Sequence, residues 1–469
     1  MNRDVVAKLW GFCNTLRHDG MSYGRYIEQL TYLLFLKLAS EKGVKIPNGY
    51  SWNNLRMLSG SDLKDHYEET LRMLGKEKGM LGDIFQGALS QFREPVNLKK
   101  LITMIDEIDW NALDVDLKAE AYEGLLQKYA ADEKGAGQYF TPREAIRTVV
   151  RCIRPDIRGR ADFTIHDPAC GTAGFLIGAY EWILKQTKEG ATLTREERNT
   201  LQKKTFSGCE IVLETRRLAL MNLYLHEIEA DIYYGDSLAE GPHASKRYDV
   251  VMTNPPFGTK GAGEAPTRED FTVATSNKQL NFLQHVMTIL KPGGRAAIVL
   301  PDNVLFDEAA GKEVRKLLMT DCNLHTILRL PVGTFTPYSS GVKANILFFT
   351  KGEATEEVWI YDNRTGVEKV NIGHQLTPDY FKDFETCYHM KPRKVTERFR
   401  RFTREEITKQ YNDNLDVVWL KDATTQSEQK LDEPDELVQE VVTQLQTALD
   451  ALSEIMLTLD SAKKMQSNA

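Results

Sequence analysis

FTIHDPACGTAGFL, residues 163–176, is a short apolar strand, a glycine-containing turn and the start of a helix. Asp167 closes the strand, and Gly171 and Gly174 would let a ligand approach the backbone closely. The helix that follows offers free N–H groups at its first turn. A nicotinamide-binding turn would carry G-x-G-x-x-G, with an acid roughly 20 residues further on. Here the spacing is G-x-x-G, and the next strand-end acid, Glu210, stands 39 positions past Gly171. No G-x-x-x-x-G-K-[ST] occurs in the chain either. The ligand expected at this turn therefore lacks phosphate.

Working outward, strand-like runs alternate with helical ones. TFSGCEI (205–211), ADIYYGDS (230–237) and YDVVMTNPP (248–256) are separated by segments such as LETRRLALMNLYLHEI (213–228). AAIVLPD, HTILRLP and ANILFFT follow between 296 and 350. This alternation predicts an α/β domain over residues 131–365, with a mostly parallel sheet covered on both faces. Ligands of such sheets sit at the carboxyl ends of the strands. Asp167, Glu210 and Asp236 fall at three successive ends. One carboxylate could hold an ammonium, the second two ribose hydroxyls and the third an adenine amino group. Those are the polar features of S-adenosylmethionine, a nucleoside without phosphate. Any one of these acids alone would equally serve as a turn or cap residue.

The fourth strand ends in Asn254-Pro255-Pro256-Phe257. An aromatic exocyclic amine is a poor nucleophile because its lone pair is delocalised into the ring. Acceptors on both N–H bonds favour the pyramidal form and expose the lone pair. The Asn254 side-chain oxygen can be one acceptor, and the Pro255 carbonyl, aimed by a fixed φ, the other. Phe257 can stack on a base taken out of the duplex. Composition alone would favour a plain two-proline turn.

Residues 1–130 are expected to form a helical N-terminal domain. In YGRYIEQLTYLLFLKLASEK, Ile27, Leu30, Leu34 and Leu38 recur at helical spacing, with Gly43 as a stop. Residues 366–432 form an extension and hinge. Over 433–465, Val438, Val442, Leu445, Leu449, Leu452, Met456 and Leu459 follow a heptad seam, expected to pack on a partner's helix. Two polar stretches, 186–200 and 258–276, are expected to be a surface insertion and a mobile loop beside the site.

The net charge of the 469-residue chain is −7. A lone DNA-binding protein usually carries a basic footprint, so either the ligand is not nucleic acid or a partner supplies much of the DNA contact. No apolar run approaches the roughly 18 residues that span a bilayer. The start lacks the features of a signal peptide, and six scattered cysteines show no C-x-x-C spacing. A cytoplasmic location and no metal site are expected.

Carrying DPACGTAGF and NPPF, with GQYFTPREA (137–145) upstream, the chain resembles the modification subunit of type I restriction–modification systems, which methylate adenine N6 in DNA. The resemblance covers nearly the whole chain and implies a Rossmann-like S-adenosylmethionine-dependent methyltransferase domain. It places Gln138, Tyr139, Phe140, Thr141, Asp167, Ala169, Gly171, Thr172, Gly174, Phe175, Glu210, Asp236, Ser237 and Asn254 around the cofactor. Within that set Thr141 would meet the methionine carboxylate and Asp167 its ammonium. Asn254, Pro255, Pro256 and Phe257 become the catalytic tetrapeptide. Phe335 or Tyr338 of GTFTPYSSG would be a second aromatic clamping the base. The implied partners are DNA, a specificity subunit in a complex of two modification subunits and one specificity subunit, and a restriction subunit. Ala173 departs from the pattern, since many relatives carry glycine there. It should take negative φ or be strained.

Two rivals share these residues. NPP[FY] also occurs in enzymes that methylate RNA guanine or protein glutamine, and a scaffold subunit could retain the fold without activity. Methylation of cytosine at its five-position would need a cysteine nucleophile, and Cys170 lies in the turn instead.

Overall fold

A computed structural model describes residues 23–41, 45–108, 141–241, 243–257, 268–336, 342–371 and 373–420, with positions 11, 110, 122 and 266. The heptad segment 433–465, Gln138, Tyr139, Phe140 and Tyr338 lie outside the described residues, as do 258–265 and 267 of the expected loop.

The N-terminal part is helical: α1 (Tyr23–Glu41), α2 (Trp52–Met57), α3 (Gly60–Leu74), α4 (Met80–Phe85) and α5 (Pro95–Asp106). Ile27, Leu30, Leu34 and Leu38 are buried, as the spacing predicts, but so are Tyr32, Leu33, Phe35 and Leu36. A helix apolar around most of its circumference belongs in the interior. Its far side reaches the rest of the molecule, where Phe35 meets Tyr224 with ring centroids 4.7 Å apart.

The remainder is α/β. Helix α6 (Arg143–Ile153) precedes β1 (Ile165–Asp167), and α7 (Gly174–Gln186) and α8 (Arg195–Lys203) lead to β2 (Phe206–Glu210). Then come α9 (Leu213–Leu225), β3 (Asp231–Tyr234), β4 (Tyr248–Thr253), α10 (Lys278–Ile289) and β5 (Leu290–Pro301). Helices α11 (Asn303–Phe306) and α12 (Ala310–Asp321) precede β6 (Cys322–Arg329), β7 (Ala344–Lys351) and β8 (Glu357–Asp362). The described chain closes with α13 (Asp379–His389), β9 (Phe399–Thr403) and α14 (Arg404–Tyr411).

These strands form one nine-stranded sheet in the order β3-β2-β1-β4-β5-β7-β6-β8-β9. β1 to β5 are parallel, and β7 enters antiparallel between β5 and β6. The sheet does not stop at residue 365. β9 pairs antiparallel with β8, so part of the expected extension belongs to it. Helix α13 returns across α6, where Arg151 binds Glu385 at 2.7 Å and Thr148 donates to the same carboxylate at 3.0 Å.

Side chains alternate across the pleat, and the alternation divides two cores. Val250, Met252, Ala297 and Val299 face a core shared with α1, α6, α7 and α9, whereas Val251, Ala296, Ile298 and Leu300 face α10 and α12. Residue 130 is thus no boundary between cores, because the N-terminal helices share theirs with one face of the sheet. Arg217 on α9, 3% exposed, ties the two parts by pairing with Glu28 and donating to the Gln86 carbonyl. Arg217→Ala takes the guanidinium from the largely buried Glu28 carboxylate, which keeps the Tyr32 hydroxyl as a donor at 2.6 Å. It should cost about 3–5 kcal/mol of stability, measured by denaturant unfolding.

The stretch 186–200 is only partly loop. Thr194 and Glu197 form a capping box that starts α8. Residues 268–276 are not a free loop. Buried Arg268 binds Asp270, donates to the Ser237 carbonyl at 3.2 Å and meets His285 at 2.9 Å.

Candidate active site

The chain runs outward from β1 through β2 to β3, then returns to place β4 on the other side of β1. The carboxyl edge at β1 and β4 is therefore the point where strand order reverses, the place where such sheets open a crevice. Asp167 ends β1, and Asn254 follows the last residue of β4. Glu210 ends β2, and Asp236 stands just beyond β3. With strands about 4.8 Å apart, four polar side chains line one edge in the order Asp236, Glu210, Asp167, Asn254.

Backbone bonds knit this edge together. The Gly235 N–H donates to the Glu210 carbonyl at 3.1 Å, and the Cys170 N–H to the Cys209 carbonyl at 3.0 Å. Glu210 accepts from the Gly171 N–H at 3.1 Å and the Val212 N–H at 2.8 Å. Asp236 accepts from the Leu238 N–H at 2.9 Å. Asp167, 1% exposed, accepts from the Ala169 N–H at 3.1 Å. Burial pushes the Asp167 carboxyl up to about 7, and nearby Glu210 adds to the rise. Burial also raises Glu210, against the pull of its backbone donors. Two buried acids held up in this way would ionise more readily beside a cation.

The turn departs from expectation in several places. Gly171 has φ +52 and open space where a Cβ would stand. Gly174 serves packing instead. A Cβ there would stand 2.8 Å from Ile146, as would one at Gly178, so both glycines let α7 lie against α6. Ala173 adopts φ +67, the strained alternative, and its N–H donates to the Cys170 carbonyl at 2.7 Å. Left-handed backbone at alanine costs about 1–2 kcal/mol. Phe175 is buried in the core, and the buried Ser237 hydroxyl donates to the Pro168 carbonyl. Both side chains are nearly closed to solvent. Thr172 uses its carbonyl to accept from Asn222 Nδ2 at 3.0 Å.

The tetrapeptide is half-buried, with Pro255 fully so. Asn254 Nδ2 donates to Thr141 Oγ1 at 3.0 Å, while Asn254 Oδ1 is buried without a partner among the described residues. A buried orphan acceptor costs about 1–3 kcal/mol, and a ligand N–H would relieve it. Phe257 meets Phe335 edge to face, with centroids 6.3 Å apart. Phe335 is 0% exposed, so it buttresses Phe257 from behind rather than offering a second face to a base. Cys170 is also buried, and burial holds its thiol well above the ordinary range, which suits no nucleophile.

Ile211 went unnoticed in the sequence. It follows Glu210, is 58% exposed, and presents an apolar surface on the carboxyl edge. Its only sequence signal is an isoleucine directly after a strand-end acid.

The chain also matches known family profiles. The N-6 DNA methylase profile fits residues 113–429, and the HsdM N-terminal domain profile fits residues 5–45. The chain belongs to the N-6 DNA methylase family. The methylase subunit of the type I restriction enzyme StySPI from Salmonella potsdam is 39% identical to this methylase, covering 97% of this chain and 95% of that protein. The EcoKI methylase subunit of Escherichia coli K12 is 38% identical, covering 98% and 96%. In the crystal structure of the EcoKI M protein the match has 35% identity and a TM-score of 0.56, over 97% of this chain and 96% of that one. A structure described for complex assembly and conformational transition of a type I system gives 27% identity and a TM-score of 0.73, over 98% and 99%. This N-6 DNA methylase is thus an adenine-specific DNA methyltransferase. Among its described residues no helix is long and apolar enough to cross a membrane.

Proposed function

We propose that this methylase transfers a methyl group from S-adenosylmethionine to N6 of an adenine turned out of the duplex, as the modification subunit of a type I assembly. The observation that carries the reading is the buried Asn254 Oδ1, without a partner among the described residues, on the same edge as Asp167 and Glu210. The donor set fits the cofactor. Asp167 would take its ammonium, Glu210 its ribose hydroxyls and Asp236 its adenine amine. Gly171 leaves room beside the chain, and Ile211 offers a wall to a flat ring. Bound there, S-adenosylmethionine supplies a methyl group already activated on sulfonium, so alignment matters more than a strong base.

The protein's part is then to present one nitrogen. Asn254 Oδ1 and the Pro255 carbonyl accept the two amino protons and hold the lone pair toward the crevice. Phe257, supported by Phe335, stacks on the base. Sequence recognition falls to a specificity subunit, with two copies of this chain per specificity subunit and a restriction subunit joining for cleavage. The heptads at 433–465 would meet the specificity subunit. That division of labour is consistent with the acidic net charge.

The test is to supply labelled cofactor to the chain and its co-purifying partner with DNA, RNA and protein acceptors in parallel. Label in DNA, recovered as N6-methyladenine, is the expected result. Label in RNA guanine or protein glutamine, with DNA left unlabelled, would replace the reading.

A further inference from the structure

We infer that Thr141 is a positioning residue that orients the Asn254 amide, with its hydroxyl serving the catalytic side chain instead of the cofactor carboxylate. The inference deepens the methyl-transfer reading above and rests on it.

Asn254 has two chemically opposite ends on one planar group. Only the oxygen end can accept an adenine N–H; the NH₂ end, turned to the base, would set donor against donor. Asn254 Nδ2 is spent on Thr141 Oγ1 at 3.0 Å, which leaves Oδ1 buried and without a partner among the described residues. The two residues stand 113 positions apart, so the contact depends on how α6 is seated.

That seating is firm. Thr141 and Pro142 precede α6, and the Ile146 N–H donates to the Pro142 carbonyl at 3.1 Å. The same Ile146 sits against Gly174 and Gly178, where any Cβ would intrude at 2.8 Å. At its far end α6 is held by the Arg151–Glu385 pair and by His389 against the Arg151 carbonyl at 2.9 Å. Close packing on α7 and anchoring to α13 thus place the Thr141 hydroxyl at the end of β4. The hydroxyl then costs little further ordering to act as a fixed acceptor.

The experiment uses the full chain with its specificity partner, tritiated S-adenosylmethionine and a DNA substrate. Thr141→Val removes the acceptor at nearly constant volume, Thr141→Ser keeps it, and Thr141→Ala stands in should the valine variant fold poorly. A melting curve accompanies each. The expected result is a kcat about tenfold to a hundredfold lower for valine or alanine. Cofactor KM and Kd should stay within about twofold, and serine should restore most of the rate. A raised cofactor KM with unchanged kcat would put the hydroxyl on the cofactor and overturn the inference, as would serine behaving like valine. Wild-type protein that fails to methylate adenine would instead remove the underlying reading, so the two failures are distinguishable.

Discussion

Asn254→Ala should lower the methyl-transfer rate about a hundredfold to a thousandfold while leaving S-adenosylmethionine affinity within about twofold. The magnitude is that of removing one preorganised hydrogen-bonding group from the place where charge develops. The separation of the two effects follows from strand order. Asn254 stands past β4, on one side of β1, and Glu210 and Asp236 lie on the other. Truncation also takes away the donor to Thr141, but it relieves the buried orphan oxygen, so folding stability should fall little. Asn254→Asp, which keeps an acceptor, should fall between wild type and alanine. Single-turnover transfer of a tritiated methyl group measures the rate, and titration calorimetry the affinity. An alanine variant with wild-type turnover would end the proposed chemistry.

The second large effect concerns Asp167 and pH. Burial holds its carboxyl up to about 7, so below that pH the crevice carries a neutral acid. Pairing with an ammonium requires the ionised form, and binding must then release a proton. Cofactor affinity should rise about tenfold per pH unit up to about pH 7. It should level off and then fall above about pH 8, as the ligand's own α-amino group loses its charge.

The stability effect has the opposite sense. Below the unfolded-state value of about 3.9 both states are protonated and the group contributes nothing. As pH rises toward 7 the unfolded chain ionises first, so the apo protein loses stability, and above 7 the loss is complete. Asp167→Asn should therefore raise the apo protein's stability at pH 8 by about 2–4 kcal/mol while weakening cofactor binding at least a hundredfold. The stability gain should shrink toward nothing near pH 4. Calorimetry across pH 5–9 with paired melting curves reads both. Cofactor affinity flat from pH 5 to 7 would remove the ammonium contact from Asp167.

Much of this site was legible without coordinates, because the relevant signals are local. Asp167 and Glu210 end strands that announce themselves by β-branched and apolar runs. The tetrapeptide after β4 is conspicuous because two prolines cannot continue a strand. The packing role of Gly174 is hidden for an equally local reason. A glycine in a ligand-binding turn and a glycine under a neighbouring helix look alike until Ile146 is seen above it. The burial of Phe335 is not legible because an aromatic in a loop near a base-binding motif carries no mark of which way it faces. Arg268 looks like part of a mobile polar loop, since nothing nearby in sequence discloses the buried partners that hold it.

By itself the sequence determined the α/β character, the chain positions of the first strands, the chemical identity of the polar groups at their ends and the helicity of the N-terminal region. Each follows from hydrophobic period and side-chain chemistry, which act over a few residues. Tertiary structure alone decided that the N-terminal helices share a core with the sheet, that β8 and β9 lengthen it, and that Ala173 bears a left-handed backbone. It also decided which end of the Asn254 amide is left open. These outcomes depend on contacts between segments tens to hundreds of residues apart, where packing volume and unpaired polar atoms, not local preference, select the arrangement.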